Sequence, residues 1–191
     1  MILEPLLTST AVVAIGEVGD KTQLLAIVLA AKFKKPVPII LGILAATLLN
    51  HTLAAALGYY VADFLSEQPF RVFVGAAFLA MAAWALKPDK MDDELKTAGV
   101  GGVFVATLIT FFLVEIGDKT QIATSLLAAR YHQVGLVTVG TTTGMMIADI
   151  PAVLLGEAAT KIVPLKYVRM AAAAIFALIG VWVLLAAFGA V

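Results

Sequence analysis

The chain has 191 residues, of which 62% are hydrophobic and 14% charged, with 13 acidic and 13 basic side chains and a mean hydropathy of +1.02. A soluble domain is about half apolar and about a quarter charged, so a water-soluble fold is excluded and lipid is the expected solvent for much of the surface. Zero net charge leaves no electrostatic case for a nucleic-acid partner, and the absence of cysteine removes disulfides, thiolate metal sites and cysteine nucleophiles.

Six apolar runs, near 5–32, 36–62, 70–87, 98–130, 134–160 and 166–190, are predicted to be membrane helices. The stretch Met1 to Leu7 carries Glu4 and no Lys or Arg, so it lacks the basic start of a cleavable signal peptide, and the first run is expected to be retained. Lys34-Lys35-Pro36 closes this first helix, because the residue before a proline is pushed out of helical geometry. Ser66-Glu67-Gln68-Pro69 separates the second from the third. The polar stretch Lys87 to Lys96 is a solvated linker. Arg130 to Gln133 and Lys161 to Lys166 make the last two turns.

The two halves repeat. Glu17-Val18-Gly19-Asp20-Lys21-Thr22 recurs as Glu115-Ile116-Gly117-Asp118-Lys119-Thr120, a constant offset (115 − 17 = 98). The same offset carries Gly42 onto Gly140, Gly58 onto Gly156, Arg71 onto Arg169, Phe78 onto Phe176 and Trp84 onto Trp182. Three helices per copy is odd, so the second copy must enter the membrane from the opposite side. The expected fold is therefore an all-α membrane protein, six transmembrane helices forming an inverted repeat of two three-helix units. These units span 1–88 and 98–191, with a cytoplasmic linker at 89–97. Lys32, Lys34, Lys35, Lys87, Lys90, Lys96, Lys161, Lys166 and Arg169 fall on one side, and only Arg71 and Arg130 on the other. The excess of basic residues assigns the first side to the cytoplasm and both termini to the outside.

Both motifs fall near the middle of their helices. A charge at the bilayer centre costs roughly 2.5–3.5 kcal/mol, so six of them cost on the order of 15 kcal/mol before any pairing. Apolar residues would fill a structural role far more cheaply, although a buried salt-bridge lock between helices is the competing reading. On a continuous helix Glu and Asp three apart share a face, and the intervening Gly19 and Gly117 permit close helix approach or a local break. Thr22, Gln23, Thr120 and Gln121 offer further neutral oxygens. If the two motif helices meet, Glu17, Asp20, Glu115 and Asp118 form an oxygen cage suited to a hard divalent cation. With Lys21 and Lys119 the cage sums to −2, which one divalent cation or two protons would neutralise. Metal–proton exchange is the hypothesis that follows. The lysines either pair with the acids or snorkel away.

His51 and Asp149 are also repeat-equivalent. They are expected to be a proton relay or to support the cage from behind, with Asn50 and Thr141-Thr142-Thr143 as possible lining of the same cavity. A lone membrane histidine also serves as a helix–helix hydrogen bonder, and threonines often bond their own backbone. An intramembrane aspartyl protease with Asp20 and Asp118 as its dyad is a distant alternative. Against it, each Asp precedes a Lys and the glutamates have no role in that chemistry. A non-transporting scaffold is another.

Two E-x-G-D-K-T motifs, each on the first helix of one half, resemble the signature of uncharacterised protein family 0016. That family includes the eukaryotic Golgi calcium/manganese–proton antiporters and the small bacterial manganese exporters. The resemblance covers essentially the whole chain. It implies export of Mn²⁺, or Ca²⁺ in a Ca²⁺/H⁺ antiporter of the same architecture, in exchange for protons. It places the cation ligands on Glu17, Asp20, Glu115 and Asp118, with the following Lys and Thr as motif members. It further implies no permanently bound cofactor, a metal ion and protons as substrates, and the lipid bilayer as surroundings. The short linker resembles the bacterial branch, hence manganese and a location in the bacterial inner membrane.

Overall fold

The computed structural model describes residues 3–63, 67–86, 102–155 and 165–189. All regular structure among them is helical: α1 (Leu3–Glu17), α2 (Lys21–Phe33), α3 (Pro36–Asp63), α4 (Glu67–Ala85), α5 (Gly102–Glu115), α6 (Lys119–Tyr131), α7 (Val134–Leu155) and α8 (Leu165–Ala187). The linker at 89–97, Gly156 and Lys161 to Pro164 lie outside the described residues.

The first and fourth apolar runs are each two helices, not one. α1 gives way to α2, and α5 to α6, across the glycine and aspartate of the motif. The reason is local. Gly19 and Gly117 adopt φ of +80° and +77°, a left-handed conformation that costs a residue with a Cβ about 1–2 kcal/mol. A hydropathy pattern reads through such a break, because the residues on both sides stay apolar.

Element limits recur at the 98-residue offset. α2 covers 21–33 and α6 covers 119–131. Both end on a left-handed residue, Lys34 (φ 53°) and His132 (φ 51°), whose N–H bonds the carbonyl four residues back at 2.9 Å. Pro36 then opens α3, where its missing N–H costs nothing.

Packing follows the same exchange. α1 lies along α7 and α5 along α3, so the first segment of each half packs on the long helix of the other, while α4 lies along α8. Close approach is built in: a Cβ on Gly42 would stand 2.9 Å from the Phe104 carbonyl oxygen and 2.7 Å from Thr107 Cβ. A Cβ on Gly140 would stand 2.6 Å from the Leu6 carbonyl oxygen and 2.8 Å from Ser9 Cβ. Leu6 and Ser9 are the repeat counterparts of Phe104 and Thr107, so the two contacts are one contact used twice. Phe78 and its counterpart Phe176 meet at 6.3 Å between ring centroids, fully buried where α4 faces α8. At the end of α6 the Arg130 guanidinium stacks 3.9 Å over the Trp182 ring of α8.

Among the described residues, two helices are long and apolar enough to cross a membrane, Pro36–Ala62 and Val134–Leu155. At 1.5 Å per residue they reach about 40 and 33 Å, against about 30 Å of hydrocarbon. α1, α2, α5 and α6 are only about 20–23 Å each, too short to cross alone, which sets the breaks within the depth of the bundle.

Candidate metal centre

Each break is assembled by the motif itself. Glu17 is the last residue of α1 and Glu115 the last of α5. Asp20 and Asp118 cap the following helices with extended backbone (φ −81°, ψ 169° and φ −75°, ψ 162°). The Asp20 N–H bonds the Glu17 carbonyl at 3.0 Å and the Asp118 N–H bonds the Glu115 carbonyl at 3.1 Å, closing a tight turn around the glycine. The glycine N–H still needs an acceptor. Gln23 Oε1 takes that of Gly19 at 2.8 Å, and Gln121 Oε1 that of Gly117 at 2.7 Å. A glutamine three residues past the cap reaching back over the turn is the logic of a capping box.

The two glutamines are thus turn locks, their oxygens held by backbone. Gln23 also donates from Nε2 to the Ala148 carbonyl at 3.1 Å, fixing the break against α7. Gln23→Leu strips an acceptor from a part-buried N–H. It is expected to destabilise the fold by about 1–3 kcal/mol, read as a lower midpoint of thermal unfolding in detergent. Gln23→Glu keeps this acceptor but loses the donor to the Ala148 carbonyl, so it should not restore wild-type stability.

The acids converge from both breaks. Ligand oxygens of Glu17, Asp20 and Asp118 lie within 4.8 Å of one another, and all three residues are buried. Oxygens on opposite sides of one hard cation stand about 4–5 Å apart, twice a typical metal–oxygen distance, so this spread suits a single ion. Glu115 is fully buried beside this trio without joining it. Thr120 Oγ1 lies 3.4 Å from Glu115 Oε2 and 3.3 Å from Asp118 Oδ2, and its single proton serves one of them at a time. Asp118 Oδ2 also accepts from the Thr120 N–H at 3.3 Å. The equivalent Thr22 hydroxyl is buried without a hydrogen-bond partner among the described residues. The two halves are therefore alike in backbone and different in side-chain bonding.

Both lysines pair across the repeat. Lys21 Nζ stands 3.1 Å from Asp118 Oδ1, and Lys119 Nζ stands 2.6 Å from Asp20 Oδ1. Of the two outcomes open to the motif lysines, pairing is the one adopted.

His51 and Asp149 are fully buried on α3 and α7, and neither has a hydrogen-bond partner among the described residues. They stand outside the carboxylate trio. Asn50 donates to the Phe112 carbonyl at 3.0 Å, tying α3 to α5, while its own oxygen has no partner among the described residues. Thr141 and Thr143 bond the carbonyls of Val137 and Val139 in their own helix, whereas the Thr142 hydroxyl has no partner among the described residues. Thr47, which motif reasoning passes over, is fully buried and has no hydrogen-bond partner among the described residues. The available signal is helical spacing: Thr47, Asn50 and His51 sit at i, i+3 and i+4 on a largely apolar helix.

Comparison with known proteins agrees with the motif. A family model described as "Divalent cation/proton antiporter GDT1" matches residues 5–93 and 103–190. The chain is 48% identical over 178 residues to the Vibrio cholerae protein named "Putative manganese exporter", covering 93% of this chain and 88% of that one. It is 24% identical over 222 residues to "GDT1-like protein 5" of Arabidopsis thaliana, covering 96% of each, and 26% identical over 164 residues to "GDT1-like protein sll0615" of Synechocystis, covering 76% of this chain and 79% of that one. No solved structure matches.

Proposed function

The chain belongs to the GDT1 family of divalent cation/proton antiporters, and from that premise we propose that it exports Mn²⁺ from the cytoplasm in exchange for protons. Glu17, Asp20, Glu115 and Asp118 are the proposed cation ligands. The protein is a transporter and not an enzyme. Asp20 and Asp118 each face a lysine ammonium, an arrangement that opposes the shared proton a protease dyad needs.

One observation carries this reading: carboxylates from two separate helix breaks, 98 residues apart, converge within the span of a single cation. In secondary transporters, discontinuous helices meeting near mid-membrane form the substrate site between two repeats. Under this proposal α1–α2 and α5–α6 each cross the bilayer as a broken pair. With α3, α4, α7 and α8 they make six spans as an inverted repeat, both termini outside and the linker cytoplasmic. Large apolar side chains that remain exposed on α3, among them Leu41, Leu48, Leu53 and Leu57, support a lipid-facing surface. Manganese is favoured over calcium by the name of the Vibrio cholerae relative, and an inner-membrane location by the same likeness.

Purified protein in proteoliposomes tests this. Mn²⁺ flux should rise with an imposed pH gradient, move protons the opposite way, and exceed Ca²⁺ flux. Mn²⁺ movement indifferent to the gradient would remove proton exchange. In cells lacking the protein, expression should relieve Mn²⁺ toxicity and leave Ca²⁺, Mg²⁺, Co²⁺ and Zn²⁺ sensitivity unchanged.

A further inference from the structure

The lysine bridges and the proposed cation site use the same two carboxylates. Asp20 and Asp118 belong to the trio that spans one cation, and Oδ1 of each already lies against an ammonium, at 2.6 Å and 3.1 Å. A cation bound to Asp118 would therefore lie within about 5 Å of Lys21 Nζ, adding one metal–oxygen distance to the bridge. Neither aspartate is more than 2% exposed, so little water is present to screen that repulsion.

We propose that Lys21 and Lys119 are tethered competitors of the transported cation, occupying Asp118 and Asp20 in the cation-free carrier and displaced when a divalent cation binds. The inference rests on Asp20 and Asp118 being cation ligands. It assigns the lysines a task that a simple helix lock lacks. Four carboxylates crossing through low dielectric without a cation carry a charge of −4; the two ammonium groups halve it, and the two protons taken in exchange neutralise the rest, so that the cation-free carrier can reorient. Each bridge also ties one repeat to the other, α2 to the break between α5 and α6, and α6 to the break between α1 and α2. Displacing them loosens the cross-repeat ties only when cargo is present.

The two bridges are not equivalent. The Lys21 side chain is 27% exposed and that of Lys119 only 5%. An ammonium leaving its carboxylate needs room to move, and of the two only Lys21 is open to the surface of the bundle. In this conformation Lys21 therefore yields first, and the repeat relation exchanges the roles in the opposite-facing conformation.

The experiment compares wild type, Lys21→Met and Lys21→Arg, using Mn²⁺ as the probe. Equilibrium Mn²⁺ binding is measured in detergent, and both net Mn²⁺ flux and Mn²⁺/Mn²⁺ exchange in proteoliposomes. Lys21→Met should bind Mn²⁺ about tenfold more tightly, a coupling of ordinary size between two linked ligands. It should also retain exchange, which never returns an empty carrier, while losing about tenfold or more in net flux. Lys21→Arg should behave as wild type in the flux split. Binding by folded Lys21→Met that is unchanged or weaker overturns the proposal, as does an equal loss of exchange and net flux. Amine-reactive labelling of wild type covers the case in which Lys21→Met does not fold: saturating Mn²⁺ should raise labelling of Lys21, and unchanged or reduced labelling overturns the idea. Wild type that binds no Mn²⁺ instead refutes the functional reading on which this one stands.

Discussion

Glu17→Gln is expected to reduce Mn²⁺ transport by more than about 100-fold while leaving the protein as stable as wild type or more so. Loss of groups that merely support metal ligands already costs roughly 10- to 100-fold, and Glu17 is proposed to be a ligand itself. The stability half of the expectation comes from its surroundings. Glu17 is fully buried, and neither carboxylate oxygen has a hydrogen-bond partner among the described residues. A buried charge without partners is costly, and an amide of the same shape removes that cost without taking an acceptor from any existing donor. A scaffold held together by its acids requires the reverse, a stability loss with little change in any flux. Reconstituted transport and thermal unfolding on the same preparation separate the two readings. Asp118→Asn should also abolish transport, but its stability should fall, because Lys21 and the Thr120 N–H both lose a charged acceptor.

A second large effect is expected far from the carboxylates. Gly58→Ala should destabilise the bundle by about 3 kcal/mol, the upper end of the usual cost of overpacking. A Cβ on Gly58 would overlap the Ser125 carbonyl and come within 2.6 Å of its carbon, so backbone, not a flexible side chain, has to move. The contact is further pinned by the Ser125 hydroxyl, which donates to the Ala54 carbonyl at 2.8 Å. Because α6 begins at the Asp118 cap, shifting it away from α3 should also weaken Mn²⁺ binding. Gly135→Ala is the matched control: nothing lies within 4 Å of its added methyl, and in a helix alanine is favoured over glycine by about 1 kcal/mol. Equal unfolding midpoints for the two variants would contradict the close approach.

Much of the site is legible along the chain because the repeat is ungapped. The motif pair, the acids in it and the equivalence of His51 to Asp149 need only counting. The helix count is different. Hydropathy alone predicts single helices over 5–32 and 98–130, since a window average carries no information about the sign of φ; of the two roles open to Gly19 and Gly117, the chain adopts the local break. The glutamines illustrate a related loss. Composition offers Gln23 and Gln121 as oxygens for a cation, yet a turn that frees a glycine N–H must find it an acceptor, and these side chains are the nearest.

Sequence by itself determined the apolar, cysteine-free composition, the duplication at 98 residues, the acids available to a cation and the family they signal. Those properties are carried by residue type and spacing, which survive without coordinates. Only tertiary structure decided that Glu17, Asp20 and Asp118 meet while Glu115 stands aside, and that Lys21 bridges to Asp118 and Lys119 to Asp20. Spacing predicts shared faces only while a helix continues. Once both helices break, the meeting of groups 98 residues apart depends on how α1 and α5 settle against α7 and α3.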